Sequence, residues 1–373
     1  MTKSLPKDII IDILLRLPAK SLVRCKCVCK RWRSLISDRG FAKSHLQRLK
    51  AGDLIPSQRI IIGRPERPLE TIDYEALDGG EGHTVVPHRI NPSRVVGSCD
   101  GLVLLIGPCN FLIYNPTTRV YIELPDSNFV DQNELYNILG YQIFCGFGYD
   151  SQFNDYKVVE GKFGLGNWEV ATFSLKSGFW RRIQVQYPEE KKRRDVTLHG
   201  PGVYWNGALH WCDYDYDWSI NGKWEALIMS FDLSEEKIHR VLPVPEVDEI
   251  DCRGGDSWGL GIHGPNLFIY KCSHRTRIDA WITDEYGRGA SWTRWFSVDF
   301  IAIINYFDSF QEKFAAYTRS RKIVFRVDMK RMILFNPEDN TYKDYPIGRE
   351  DTFEYAIYLE TLISPYLGNR AVE

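Results

Sequence analysis

Phe111-Leu112-Ile113-Tyr114-Asn115-Pro116, followed by Leu124-Pro125, is the stretch that sets the architecture. A degenerate copy, Ile228-Met229-Ser230-Phe231-Asp232-Leu233, precedes Leu242-Pro243, and a third, Ile333-Leu334-Phe335-Asn336-Pro337, precedes Tyr345-Pro346. From the aromatic to the residue before proline the intervals are 10, 11 and 10 residues. Two weaker copies lie between them, at Thr172-Phe173-Ser174-Leu175 with Trp180 and at Ala280-Trp281-Ile282-Thr283 with Trp292. The anchors Tyr114, Phe173, Phe231, Trp281 and Phe335 are then separated by 59, 58, 50 and 54 residues. Short apolar runs returning every ~50 residues mark the four-stranded blades of a propeller. The repeat predicts a β-propeller with five blades countable from sequence.

Outward from the anchors the pattern remains that of strands, with short apolar runs punctuated by turns. Ten of the eleven tryptophans lie beyond residue 150. Asp100-Gly101 and Asn206-Gly207 are hairpin signals, because both central residues of that turn need positive φ. Residues 47–94, rich in Gly, Pro and charge, read as a linker with one strand at Arg59-Ile60-Ile61-Ile62. A sixth blade forms if Tyr355-Ala356-Ile357-Tyr358-Leu359 and Leu362-Ile363 pair with the segment before Ser98. That would close the ring without an exposed edge.

At the other end the period changes. Ile9, Ile13 and Leu17 recur every four residues with Ile10 and Leu14 beside them, a broad apolar helical stripe. Pro6 suits the first turn, Asp8 complements the positive end of the dipole, and Pro18 stops the helix. A second short helix runs through Ala19–Arg24, and a third sets Val28, Trp32, Leu35 and Ile36 on one face. Three such helices cannot enclose a core of useful size, so apolar faces are left over for a partner. Residues 1–50 carry thirteen Lys or Arg against three Asp, a balance of +10 within a chain of net charge −2. A basic module with an apolar stripe fits an acidic protein partner.

Leu5-Pro6-x-Asp8, Ile13-Leu14-x-x-Leu17-Pro18-x-Lys20-Ser21-Leu22-x-Arg24 and Cys27-Val28-Cys29-Lys30-x-Trp32-x-Ser34-Leu35-Ile36 resemble the F-box, especially its plant form. Phe41 and His45 continue the match over roughly residues 3–46. The resemblance implies binding to an Skp-type adaptor, and through it to a cullin scaffold carrying a RING subunit and a ubiquitin-conjugating enzyme. It implies an adaptor surface made largely by Leu5, Pro6, Ile9, Ile13, Leu14, Leu17, Leu22, Val28 and Trp32, some of which must instead hold the helices together. Ser98-Cys99-Asp100-Gly101-Leu102, Tyr114-Asn115-Pro116-Thr117-Thr118 and Gly146-Phe147-Gly148-Tyr149-Asp150 with Asp155-Tyr156-Lys157-Val158-Val159 resemble the F-box-associated, kelch-like domain of plants. Proteins of this architecture include self-incompatibility factors and regulators of immune receptors.

The expected organisation is α+β in two units: a three-helix F-box over residues 1–46, linker and first strand over 47–94, and an all-β propeller of five to six blades over 95–373. The resemblance implies a non-catalytic substrate-recognition subunit of an SCF-type ubiquitin ligase, acting in cytoplasm or nucleus. Nine cysteines without framework spacing, and Asn-x-Ser/Thr triplets all spoiled by proline, fit a reducing compartment. No run approaches the ~18 apolar residues of a membrane span, and nucleic acid is not an expected partner.

Other motifs fall to context. Gly259-Leu260-Gly261-Ile262-His263-Gly264 has dinucleotide spacing, but Pro265-Asn266 and the apolar Leu267-Phe268-Ile269-Tyr270 follow where a helix is needed. It reads as a hairpin. Asp213-Tyr214-Asp215-Tyr216-Asp217 opens like a calcium loop, yet Trp218 and Trp224 stand where Gly and Glu are required. Cys25, Cys27 and Cys29 lack a complementary pair at zinc spacing and read as structural thiols. Glu189-Glu190-Lys191-Lys192-Arg193-Arg194 reads as a solvated loop. No metal, cofactor or catalytic constellation is expected. The longest insertion between landmarks, Cys212 to Trp224, holds two Trp, two Tyr and three Asp. It reads as a loop whose Tyr214, Tyr216 and Trp218 contact the captured protein. The competing reading is a carbohydrate- or glycoprotein-binding module stacking sugars on Trp205, Trp211, Trp218 or Trp224.

Overall fold

A computed structural model describes residues 6–52, 57–64, 67–79, 85–90, 94–107, 110–128, 143–164, 167–185, 200–217, 223–245, 257–273, 277–287, 290–299, 313–327, 331–339, 341–346 and 354–366. Its first part is four helices: α1 (Lys7–Leu15), α2 (Ala19–Cys25), α3 (Lys30–Ile36) and α4 (Arg39–Lys50). Pro6 and Pro18 occupy the N-caps of α1 and α2. Cys29 Sγ accepts from Trp32 N at 3.4 Å to cap α3, and Asp38 Oδ1 accepts from Phe41 N at 2.9 Å to cap α4. The fourth helix goes beyond the three expected. It buries Phe41, Ala42, His45, Leu46 and Leu49, one side of a helix at spacings of one, three and four.

The rest is β. Six sheets make it up, five of them containing a four-stranded meander of consecutive strands and one combining strands from both ends of the chain. Blade II takes Arg94–Cys99, Leu102–Ile106, Phe111–Asn115 and Val120–Glu123. Blade III takes Ile143–Asp150, Asp155–Gly164, Asn167–Ser174 and Phe179–Val185, with Gly200–Pro201 added in parallel. Blade IV takes Val203–Trp205, Ala208–Asp217, Lys223–Asp232 and Lys237–Leu242. Blade V takes Ser257–His263, Asn266–Ser273, Arg277–Thr283 and Thr293–Asp299. Blade VI takes Lys313–Tyr317, Ile323–Val327, Arg331–Asn336 and Thr341–Pro346. Each of the five sequence anchors sits in the third strand of its blade, which is why their spacing is regular.

Blade I is assembled from both ends. Gln58–Gly63, Glu70–Ile72 and Val85–Pro87 are joined by Glu354–Leu359, which pairs with the first of them. This is the sixth blade expected from the terminal strands, and the fold is a six-bladed all-β propeller. Residues 47–94 supply three strands of that blade in place of a linker with one.

Contacts divide the chain into two units, Met1–Asp73 with Thr84–Leu124 and Tyr355–Glu373, and Tyr74–His83 with Pro125–Glu354. In the first, Ile61, Leu69, Val95, Val103, Leu105, Tyr114, Ala356 and Tyr358 form one apolar cluster. Its polar seams are also closed. Arg59 Nε donates to Glu360 Oε1 at 2.8 Å and Ser57 Oγ to Glu360 Oε2 at 2.9 Å, while Asn115 Nδ2 donates to the carbonyls of Thr361 (3.1 Å) and Ile363 (2.7 Å). In the second unit, Phe144, Val159, Val170, Leu209, Trp211 and Phe231 pack between blades III and IV. There Lys157 Nζ lies 2.9 Å from Asp150 Oδ2, 3.2 Å from Glu236 Oε1 and 2.6 Å from Leu233 O. The buried cation is thus neutralised by two carboxylates and hydrogen-bonded to a carbonyl.

Candidate functional site

The helical module is held from inside by few groups. Asp12 accepts from Arg16 Nη2 and from Arg48 Nη2, both at 2.8 Å, tying α1 to α4. Those bonds, with Arg48 the largest contributor, keep the Asp12 carboxyl below the usual carboxylate range. His45, fully buried, donates from Nε2 to the carbonyl of Leu17 at 2.9 Å. Burial lowers its basicity despite that bond, with the Arg48 charge adding to the effect. Lys50 at the end of α4 meets Asp100 Oδ1 at 2.7 Å, anchoring the module to the first hairpin turn of blade II.

The apolar residues separate into two sets. Leu14 (1% exposed), Leu15, Ala19, Leu22 (0%), Ile36 and Phe41 fill the interior of the module. Ile9 and Ile13, one turn apart on α1, are 47% and 48% exposed, and Val28 is 64% exposed. Pro6 is exposed as well, and Leu17 and Trp32 are half-buried. Of the nine residues assigned by resemblance to an adaptor surface, Leu14 and Leu22 are therefore internal packing. Pro6, Ile9, Ile13 and Val28 are open, with Leu17 and Trp32 partly so, and Leu5 lies outside the described residues. Eight large hydrophobic side chains are exposed among the described residues, and three of them fall in this short module. Exposed apolar side chains gathered in one short module are the kind of surface that marks protein docking sites. Residues 1–50 carry thirteen Lys or Arg against three Asp.

Residues 3–44 match the family described as the F-box domain, and residues 80–365 match the F-box associated beta propeller domain. The chain is an F-box protein. It is 30% identical over 355 residues to the F-box protein CPR1 of Arabidopsis thaliana, covering 90% of this chain and 82% of that one. It is 28% identical to the Arabidopsis thaliana F-box/kelch-repeat protein At3g23880, covering 97% and 96%. To the F-box protein At4g22390 of the same plant it is 28% identical, covering 96% and 90%.

On the propeller of this F-box protein, the insertion read as a loop is a hairpin arm. Ala208–Asp217 and Lys223–Asp232 stay paired throughout, from Ala208↔Asp232 to Tyr214↔Ala226, Tyr216↔Trp224 and Asp217↔Lys223. The period-two run Asp213-Tyr214-Asp215-Tyr216-Asp217 is a strand pattern, and it was legible as one. Tyr214 and Tyr216 thus lie on a strand, while Trp218 lies outside the described residues. Two of the four tryptophans offered to sugars are core: Trp205 is 7% exposed and Trp211 3%. Trp205 Nε1 is spent on Pro265 O at 2.7 Å. Gly259–Gly264 forms the strand Ser257–His263 and its turn, as its context required. Cys27 and Cys29 are exposed and Cys25 is half-buried; of the three, the Cys29 sulfur has a structural part, capping α3. Glu189–Arg194 lies outside the described residues. Among the described residues no group of three or more His, Cys, Asp or Glu is placed to hold a metal, and no helix is long and apolar enough to cross a membrane.

Proposed function

We propose that this F-box protein is the substrate-recognition subunit of an SCF-type ubiquitin-protein ligase, docking an Skp-type adaptor through α1–α3 and holding a target protein on its propeller. The observation that carries the reading is the open apolar set Ile9, Ile13 and Val28 on a basic F-box. Completing the burial of three side chains that are already about half covered contributes about 1 kcal/mol each. Catalysis belongs, on this reading, to the RING subunit and its conjugating enzyme, in cytoplasm or nucleus. The arm of blade IV, with Tyr214, Tyr216 and Trp218, is the proposed target contact.

The test is Ile9→Asp with Ile13→Asp. Buried unpaired carboxylates in the interface should abolish adaptor co-purification while thermal melting stays within a few degrees of wild type. A folded double variant that retains the adaptor undiminished would overturn the reading.

A further inference from the structure

The link between α2 and α3 presents Cys27, Val28 and Cys29 in succession, all exposed, with Cys25 half-buried just before them. Val28 at 64% is the most open large apolar side chain described. Residues 24–33 also contain Arg24, Lys26, Lys30, Arg31 and Arg33 and no acidic residue. Four of these five cations are exposed. The described blade thiols differ: Cys99, Cys145 and Cys272 are buried, Cys212 is half-buried, and none of the four is exposed. Free cysteine is ordinarily a small buried hydrophobe, and its reactivity rather than its packing explains it when it is not. Packing accounts for the buried blade thiols. It does not account for the exposure of Cys27 and Cys29, which bracket Val28, although the Cys29 sulfur also caps α3.

The geometry points to Cys27 and Cys29 as a modification site for an anionic small-molecule disulfide of the glutathione class, whose adduct blocks adaptor docking. This rests on the reading of the F-box as the adaptor-binding module. In the step itself a cysteine thiol loses its proton and its sulfur attacks one sulfur of oxidised glutathione. A protein–glutathione disulfide forms and the glutathione S–S bond breaks. The departing glutathione leaves as a thiolate and takes up the proton, so the cysteine is oxidised and half of the disulfide reduced. The surrounding cations attract the anionic reagent before reaction. Once attached, the tripeptide covers Val28 and sets carboxylates beside the cations that would face an acidic adaptor. A docked adaptor shields the same thiols, so modification and docking exclude each other.

The experiment treats the reduced full-length chain with oxidised glutathione, locates adducts by peptide mass spectrometry, and measures adaptor affinity before treatment, after it, and after a thiol reductant. Adducts should appear on Cys27 or Cys29, with affinity falling at least tenfold and recovering on reduction. Cys27→Ser with Cys29→Ser, in which a serine hydroxyl can replace the Cys29 sulfur as cap of α3, is compared with its own reduced affinity and should keep that affinity in oxidised glutathione. Adducts at these thiols with unchanged affinity would overturn the inference and leave the adaptor reading intact. So would adducts confined to other cysteines, or equal sensitivity in the double variant. If the reduced wild-type chain fails to bind adaptor at all, the functional reading itself is wrong and the switch falls with it.

Discussion

Gly101 shows how much a single residue can carry. Its φ is +84°, and a Cβ there would lie 2.3 Å from Thr361 Oγ1 and 2.5 Å from the Leu359 carbonyl. Gly207, in the equivalent turn of blade IV, has φ +82° but nothing within 4 Å. Both substitutions to alanine bear the left-handed strain of roughly 1–2 kcal/mol. Only Gly101→Ala also drives into the closing segment, adding an overpacking cost of about 1–3 kcal/mol. Urea unfolding should therefore place Gly101→Ala well below Gly207→Ala, and equal midpoints would refute the argument. Buried titratable groups set a second residue-scale expectation. Burial lowers His88 to about 4, helped by Arg119 and Lys20, and lowers His210 to about 4 against carbonyl contacts from Val203 and Ala208. Unfolded, both take up protons near 6.5, so stability falls as pH drops from 6.5 towards 4. Burial pushes Glu160 the other way, up to about 7, with Asp126 adding to it and Ser127 and Lys162 opposing. Between about 4.5 and 7 the folded state holds that extra proton, so this group's stabilisation is lost as pH rises. One carboxyl thus offsets one of the two histidines across most of the window. Glu160→Gln should steepen the acid loss by about 1.4 kcal/mol per pH unit between pH 6.5 and 5.5. Parallel stability profiles for variant and wild type would contradict this.

At the scale of elements, α1 explains why the sequence showed surplus apolar surface but not which residues would stay open. Ile9, Ile10, Ile13, Leu14, Leu15 and Leu17 cover more of the helix than one packing face requires. Periodicity reports that surplus. It cannot say which side α4 will cover, because that depends on Arg48 reaching Asp12 and His45 reaching Leu17, contacts 36 and 28 residues apart. Leu14→Asp should therefore lower the melting temperature of the module, whereas Ile9→Asp should not, a separation circular dichroism can read. The arm of blade IV was legible but misread: its acidic–aromatic alternation is a strand period, and the many aspartates masked it as loop. Its pairing continues beyond Cys212↔Ile228 to Asp217↔Lys223. Replacing residues 213–227 by Asn-Gly, which suits a two-residue hairpin, should leave melting and adaptor binding nearly unchanged. A collapse of the blade would show that the arm is structural.

At the scale of the molecule, five blades were legible because each carries its aromatic anchor within one continuous stretch of chain. Blade I was legible only as a possibility of closure. Glu70–Ile72 and Val85–Pro87 are three residues each, too short for a period, and their sheet is completed from the far end of the chain. Hydrogen bonds spanning 303 and 301 residues, Ser57 and Arg59 to Glu360, leave no local trace. Loop-closure entropy makes such a join costly, so it needs a large return in burial. That return is visible: Tyr358 is 3% exposed, Leu362 and Ile363 6% each, and Thr361 0%. The same segment meets the backbone carbonyl of Asp100, whose carboxylate holds Lys50 of the F-box. Truncation immediately before Glu354 thus removes the closing strand, uncovers the edge of Gln58–Gly63, and frees the turn that anchors α4. The truncated chain should unfold at markedly lower urea and aggregate through the open edge, and its F-box should lose protection from amide exchange in α4 before α1. If instead the truncated chain unfolds at the wild-type midpoint, the closing strand adds nothing to stability and blade I does not depend on it.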